Sequence, residues 1–369
     1  MAKRKLVAGR FMLGKRLGKG SFGEVFSGCE VATDIQVAIK VEPLKSPHPA
    51  LQGESKALKE LSGLEGVPHL YWNGSDAEGH YLVMDLLGVN LERLQKTCKG
   101  RFTLKTAVGI GRQLISRLEA IHARGYVHKD IKPANCAMGL SNSKVFYLFD
   151  FGLSKKYLDL KTRTHMAYHE GKGLIGTARF ASVNAHMGVE QSRRDDLESG
   201  LYMLLYMIEG KLPWQGIPSQ GQLDKSQKIA EMKMGLRLGK HLPGELQQML
   251  TYIRRLKFEE KPDYSYLHHL LHTIALHNSI PAAPSFDWEQ HRSRANSALS
   301  TPKSQKSHLS PTPSLHKTED CSSMQPFTPI DHQETLPRRW PRLSPAARLA
   351  IKQSQSPPRL PIDRACCLF

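Results

Sequence analysis

The sequence predicts an α+β protein: a small β-rich lobe, a larger helical lobe after it, a cleft between them, and a disordered tail. Three observations carry this. The first 90 residues contain runs that alternate apolar and polar residues or carry β-formers, broken by Gly-containing turns. Beyond Gly88 apolar residues recur at three- and four-residue spacing. After FDW at 286–288 the composition shifts: residues 291–369 hold 11 of the 22 prolines and 12 Lys or Arg against 5 Asp or Glu. The expected organisation is therefore a basic lead at 1–10, a folded domain at 11–290 divided near residue 87, and a tail at 291–369.

In order, strands are expected at 10–19, 24–29 and 36–41, a helix at 52–61 and an apolar strand at 81–87. The 103–122 stretch places Val108, Leu114, Ile115, Leu118 and Ile121 on one helical stripe. The tail lacks the apolar content to offset the entropy of ordering. It carries Ser-Pro or Thr-Pro steps at 301, 310, 312, 328, 344 and 356.

A chain of 369 residues can bury a proper core. Its formal charge of +18 draws it toward something anionic: nucleic acid, an acidic lipid surface, or an acidic or phosphorylated protein. Six cysteines occur without a C-x-x-C pair, which argues against a zinc site or a disulfide framework and fits a reducing compartment. The opening MAKRKLVAGRF lacks the apolar run of a signal peptide, and no stretch is apolar for long enough to cross a bilayer. The expected location is cytoplasmic, with the cytosolic face of a membrane and the nucleus left open.

Four motifs carry chemistry. Residues 17–25, LGKGSFGEV, match G-x-G-x-x-G-x-V: Leu17, Gly18, Lys19, Gly20, Ser21, Phe22, Gly23, Glu24 and Val25. Glycines let backbone N–H groups approach phosphate oxygens closely. A dinucleotide fold needs a helix after its glycines, whereas a strand-like run follows here, as in a flap over ATP. Alone the motif reads equally as a glycine-rich hairpin. VAIK at 37–40 puts Lys40 on the next strand, and Glu54 lies fourteen residues on in the expected helix. Such a Lys–Glu pair aims an ammonium at the α- and β-phosphates; Glu42 and Glu60 are the other acids in the region. HKDIKPAN at 128–135 supplies Asp130, Lys132 and Asn135. Asp150 opens DFG behind the apolar VFYLF.

Together and in this order the motifs resemble the protein kinases, which implies the two-lobed kinase fold. Asp130 is then the base for a substrate hydroxyl and Lys132 steadies the transferring phosphoryl group. Asn135 and Asp150 hold Mg2+ on the phosphates. Lys129 stands where Arg is usual in the catalytic loop. Lysine keeps the charge and loses the bidentate fork, which points to weaker dependence on phosphorylation of the activation segment. Ala134 and Cys136 also depart from the common pattern, without an evident physical reason.

Further stretches resemble the casein kinase 1 family of serine/threonine protein kinases over about residues 10–290. They are LLGVNLE at 86–92, GTARFAS at 176–182, QSRRDDLES at 191–199, LPWQG at 212–216, KPDYSYL at 261–267 and FDW at 286–288. Ser182, Val183 and Asn184 stand where other kinases have A-P-E. The resemblance implies an ATP site with adenine against the backbone of Asp85 and Leu87, Met84 as gatekeeper, and Val25, Ala38 and Ala137 around the purine. By pattern alone Met84 and Leu87 would be core residues. It also implies a monomeric enzyme for Ser or Thr preceded by an acidic or phosphorylated residue. That anion would dock at Arg179, Lys228 and the backbone near Gly216, with Lys155 and Lys172 as a second contact. Ser199, Gly200 and Leu201 reverse the family's Ser-Leu-Gly, leaving the packing of that helix open.

The chain ends CCLF. Cys366 occupies the C-a-a-X position for prenylation, and Cys366 with Cys367 also suits palmitoylation. With the basic residues upstream, one lipid would suffice for peripheral attachment to an anionic leaflet. Two other classes stay in view. A pseudokinase scaffold would lack transfer despite the intact Lys, Asp, Asn and Asp set. A nucleic-acid-binding protein rests on charge alone, since no aromatic-basic interleaving or binding module accompanies it, and no specific nucleic acid is expected.

Overall fold

The structure, a computed structural model, describes residues 5–20, 23–46, 50–218, 221–283 and 285–289. The expected disordered tail, the cysteines at 366 and 367, and Ser21 and Phe22 of the glycine-rich turn lie outside the described residues.

The N-terminal lobe is a six-stranded antiparallel sheet. Its strands are β1 (Leu6–Val7), β2 (Phe11–Gly20), β3 (Gly23–Glu30), β4 (Gln36–Glu42), β5 (Leu70–Ser75) and β6 (His80–Asp85), in the order β1-β2-β3-β4-β6-β5. Helix α1 (Leu51–Glu60) crosses between β4 and β5. The side-chain alternation of a strand places the cleft residues. Val37 and Ile39 are buried with Val7, Phe11, Tyr81 and Val83 on one sheet face. Ala38 and Lys40 therefore share the other face, opposite Met84 and Leu82 in register. A single residue of slip would turn Lys40 away from the cleft.

The C-terminal lobe follows with α2 (Leu91–Thr97), α3 (Leu104–Ala123), β7 (Tyr126–Val127), β8 (Cys136–Met138), β9 (Phe146–Leu148) and β10 (Lys155–Lys156). It continues with α4 (Val183–His186), α5 (Arg193–Glu209), α6 (Gln222–Met234), α7 (Gly244–Arg255) and α8 (Tyr264–His277). Asn90, Thr103 and Asp263 cap α2, α3 and α8 with side-chain oxygens, satisfying N–H groups that a helix start leaves unpaired. Asp287 of FDW accepts from the Thr103 N–H at 2.6 Å and its hydroxyl at 2.8 Å, pinning that segment to the start of α3.

The architecture is the expected β-rich lobe followed by a helical one. Three local readings change. β6 ends at Asp85 rather than at residue 87, because the chain there leaves the sheet to reach the second lobe. β1 and β5 carry little strand signal in the sequence: β1 is two residues long, and LYWNGS dilutes its aromatics with Asn and Gly. The 88–290 region also contains the short hairpin β8–β9. The order Ser199, Gly200, Leu201 proves compatible with tight packing. A Cβ on Gly200 would meet Leu114 Cδ2 at 3.0 Å, so α5 approaches α3 closely at this point, with Leu201 buried one residue on.

Candidate active site

The site is built from β4, α1, the 128–135 loop, the turn at 150–153 and the 176–182 segment. Glu54 is fully buried on α1, and its Oε2 receives Lys40 Nζ at 2.6 Å. Lys40 Nζ also donates to Asp150 Oδ1 at 2.9 Å. The rival acids are engaged elsewhere. Glu42 accepts from the Ala50 and Leu51 N–H groups at the start of α1, and Glu60 pairs with Lys156.

Burial alone would favour a neutral Lys40, but the carboxylates of Glu54 and Asp150 hold its pKa above the ordinary lysine value. The Glu54 pKa also moves up. Burial raises its pKa, partly offset by Lys40. Burial likewise opposes ionisation of Asp150, and Lys40 overcomes it, leaving the pKa below the usual carboxylate value. Asp150 itself has φ of 65°, a left-handed conformation disfavoured for a residue with Cβ. Its neighbour Phe149 is held on both sides: its N–H donates to the Asn135 carbonyl at 3.0 Å, and its carbonyl faces His128 Nε2 at 3.1 Å. Asn135 and the 150 turn are thereby joined through the backbone.

Four donors surround the Asp130 carboxylate. Lys132 Nζ reaches Oδ2 at 2.6 Å and Asn135 Nδ2 reaches it at 3.1 Å. Thr177 donates to Oδ1 with its N–H at 2.9 Å and its hydroxyl at 2.8 Å. Lys132 Nζ also lies 3.0 Å from Thr177 Oγ1, closing the ring. Gly176 makes this possible: its φ is +94°, and a Cβ there would sit 2.5 Å from the Lys129 carbonyl oxygen. The loop is anchored from below by Asp196 of α5. Its two oxygens accept from the His128 N–H at 2.7 Å and the Lys129 N–H at 2.8 Å, and Oδ2 lies 3.0 Å from His122 Nε2.

Thr177 and Asp196 were not singled out from sequence as site residues, although both fall inside the quoted GTARFAS and QSRRDDLES stretches. In the second stretch Asp195 accepts from the Ser192 N–H, the Ser182 hydroxyl and Asn184 Nδ2. Arg194 donates to the Leu256 carbonyl. The motif thus ties α4, α5 and the loop after α7 together.

The residues expected around a purine lie at the lobe junction. Ala38, Met84 and Ala137 are buried and Val25 packs against the same core. The Asp85 carboxylate turns toward β5, accepting from the His69 N–H and the Tyr71 hydroxyl, while the Leu87 N–H has no partner among the described residues. In the glycine-rich turn, Lys19 pairs with Glu24 and Gly18 with Val25 across β2 and β3. Gly23 is demanded by packing, since a Cβ there would overlap the Val41 carbonyl. Among the described residues a Cβ on Gly18 would meet no heavy atom within 4 Å, so none of them requires that glycine. Room for a ligand to approach the backbone is a physical reason for it.

The oxygens of Asp150 and Asn135 suit a hard divalent cation. Among the described residues no cluster of three or more His, Cys, Asp or Glu side chains could cage a metal. A cation here would rely on phosphate oxygens for the rest of its shell, as magnesium with nucleotides does. The donor set fits a metal–nucleotide complex.

Among the described residues no contact joins the expected anion-docking residues. The Arg179 guanidinium lies over the rings of Phe180 and Tyr206 at 5.7 and 5.4 Å. Lys228 Nζ pairs with Asp224 at 2.8 Å and donates to the Pro218 carbonyl at 3.3 Å. Gly216 takes a left-handed φ of +74° with open space beside it. Lys155 and Lys172 both face Glu190, at 2.8 and 3.6 Å.

Two buried basic side chains, Lys233 and His186, lie side by side behind this segment. Lys233 of α6 is fully buried and donates to the carbonyls of Ala178 and Ala181, on either side of Arg179. Burial lowers its pKa to about 7, with Glu198 opposing. His186 Nε2 lies 3.1 Å from it, and burial followed by the Lys233 charge takes the His186 pKa to about 3. Among the described residues no helix is long and apolar enough to cross a membrane. The family model of the protein kinase domain matches residues 11–272.

Proposed function

We propose a specific reaction for this chain, which belongs to the protein kinase family: phosphorylation of Ser or Thr in acidic or already phosphorylated protein segments, by an enzyme of casein kinase 1 type. A protein kinase domain transfers a phosphoryl group from ATP with the help of a divalent cation. Here the cation is read as Mg2+, which Asn135 and Asp150 would hold and which would neutralise charge on the nucleotide's phosphates.

The observation that carries the reading is the closed set of donors on Asp130, with Lys40 and Asp150 paired beside it. Asp130 accepts the proton of the substrate hydroxyl. The hydroxyl oxygen forms its bond to the γ-phosphorus as the bond to the bridging β–γ oxygen breaks, and ADP carries away that electron pair. Lys132 lies beside Asp130 and stabilises the charge on the group in flight. Lys40, oriented by Glu54, binds the α- and β-phosphates. The glycine-rich turn, Gly18 to Gly23, covers them.

Substrate choice is assigned to Arg179. No carboxylate pairs with its guanidinium among the described residues, and stacking on Phe180 and Tyr206 holds it close to the loop that contacts Asp130. Such a group suits a phosphate or carboxylate upstream of the acceptor hydroxyl. Lys228, shared with Asp224, adds a weaker contact near Gly216. The remaining parts of the reading rest on sequence: a monomer, active without phosphorylation of its activation segment, and attached peripherally to a membrane through lipid on Cys366 or Cys367.

The test is phosphate incorporation into peptides bearing phosphoserine, Asp or Ala three residues before a Ser, with Asp130→Ala as the blank. The expected order is phosphoserine over Asp over Ala. Incorporation no greater than with Asp130→Ala would leave a scaffold, the second reading, in possession.

A further inference from the structure

Lys129 sits between the two catalytic-loop residues His128 and Asp130, with φ of 72° and a side chain only 6% exposed. Its Nζ lies 3.4 Å from Glu190 Oε1. Glu190 Oε2 faces two more ammonium groups, Lys155 at 2.8 Å and Lys172 at 3.6 Å. The three lysines come from three places. Lys129 belongs to the catalytic loop, Lys155 to β10 just after the DFG turn, and Lys172 to the segment that leads on to Gly176. β10 in turn pairs with β7, with Lys155 opposite Val127, two residues before Lys129.

Glu190 is only 3% exposed, and its backbone N–H is fixed on the His169 carbonyl at 2.9 Å. Burial alone would raise its pKa. The Lys155 hydrogen bond and the Lys129 charge bring it down to about 2, so the carboxylate is anionic throughout the neutral range. A buried anion shared by three cations drawn from the catalytic loop, the post-DFG strand and the activation segment is the arrangement that an activation-segment phosphate creates in kinases ordered by phosphorylation.

We propose that Glu190 is a built-in activating anion: its carboxylate takes the position of an activation-segment phosphate and holds the catalytic loop and the 155–177 segment in their working register. Glu190 is a positioning residue, acting through Lys129 on Asp130 and through Lys172 on the approach to Thr177. The inference rests on the reading of this chain as an active kinase and supplies a physical reason for its independence from phosphorylation.

The experiment uses the full chain, treated with phosphatase and shown by mass to carry no phosphate. The wild type, Glu190→Gln, Lys155→Gln and Lys172→Gln are assayed on one acidic peptide. Each is assayed with and without inorganic sulfate, against sodium chloride of equal ionic strength. Sulfate offers the size and charge of a bound phosphate. The expected result is that Glu190→Gln lowers kcat about 10- to 100-fold, as loosened catalytic geometry does. The KM for ATP stays near the wild-type value, and sulfate restores most of kcat in Glu190→Gln while leaving the wild type unchanged. A purely structural role for Glu190 would not give rescue by a small anion.

Full activity of Glu190→Gln, or a loss in a folded variant that sulfate does not mend, overturns the proposal while leaving the kinase reading intact. An inactive phosphate-free wild type overturns both. If Glu190→Gln melts early, the other two variants decide. Their side chains are 41% and 44% exposed, so their loss spares the core, and unchanged kcat in both refutes the proposal.

Discussion

Thr177 grips one carboxylate oxygen of Asp130 twice, with its backbone N–H at 2.9 Å and its hydroxyl at 2.8 Å, across 47 residues of chain. The same hydroxyl meets the Lys132 ammonium at 3.0 Å. The side chain therefore fixes the orientation of Asp130 and its separation from Lys132.

Replacing Thr177 with Val keeps the shape and the N–H bond and removes the hydroxyl. The expected loss in kcat is about 10- to 100-fold, the scale for misplaced catalytic groups, with little change in the KM for ATP. Steady-state kinetics checks this, and a variant within twofold of wild type would deny the hydroxyl its role.

Gly176→Ala puts a methyl group where only 2.5 Å separates it from the Lys129 carbonyl oxygen, at φ of +94°. The strain is of order 1–3 kcal/mol, and the loop can relieve it only by moving away from Asp130. Activity should fall more steeply than the unfolding midpoint. Denaturant melts alongside kinase assays would show the split.

Asp196→Asn leaves one oxygen where two accept from the His128 and Lys129 N–H groups. One buried N–H loses its acceptor, and the His122 contact loses its charge. The expected destabilisation is about 1–3 kcal/mol, measured by chemical denaturation, with activity lowered as well.

Lys233 gives a pH signature whose sign follows from linkage. Its folded pKa of about 7 lies below the ordinary lysine value of 10.5, with burial as the main cause. Between those two pH values the unfolded chain binds the extra proton, so stability rises with pH. Relative to Lys233→Met, the wild type should gain about 2 kcal/mol between pH 7 and pH 9, at 1.36 kcal/mol per pH unit. The gain is absent at more acidic pH, where the group is protonated in both states. Urea unfolding of both proteins at the two pH values tests it, and parallel changes would contradict a depressed Lys233.

The β lobe, the helical lobe and the main strand positions were legible because side-chain period follows backbone geometry residue by residue. Strand β5 was not, because Asn73 and Gly74 interrupt its apolar signal and its pairing with β6 compensates. Within the site, the glycine-rich turn, Lys40, Asp130, Asn135 and Asp150 each announce themselves in short local motifs. Glu54 could be picked over Glu42 and Glu60 by spacing along a helix. Lys155 and Lys172 read as free cations awaiting an external anion, because a linear pattern does not show that Glu190 faces them both.

What the sequence determined by itself is the inventory: which residues supply the glycine-rich backbone, the ammonium, the carboxylates and the amide, and the order in which two lobes display them. These are local properties of composition and spacing. What only the tertiary structure decided is the partner of each charge: Lys40 for Asp150 across 110 residues, Glu190 for Lys129 across 61, and the Lys129 N–H for the Asp196 carboxylate across 67. The physical reason is that a charge finds its partner by distance through the folded interior, where low dielectric makes a few ångströms decisive, and separation along the chain carries no trace of that distance.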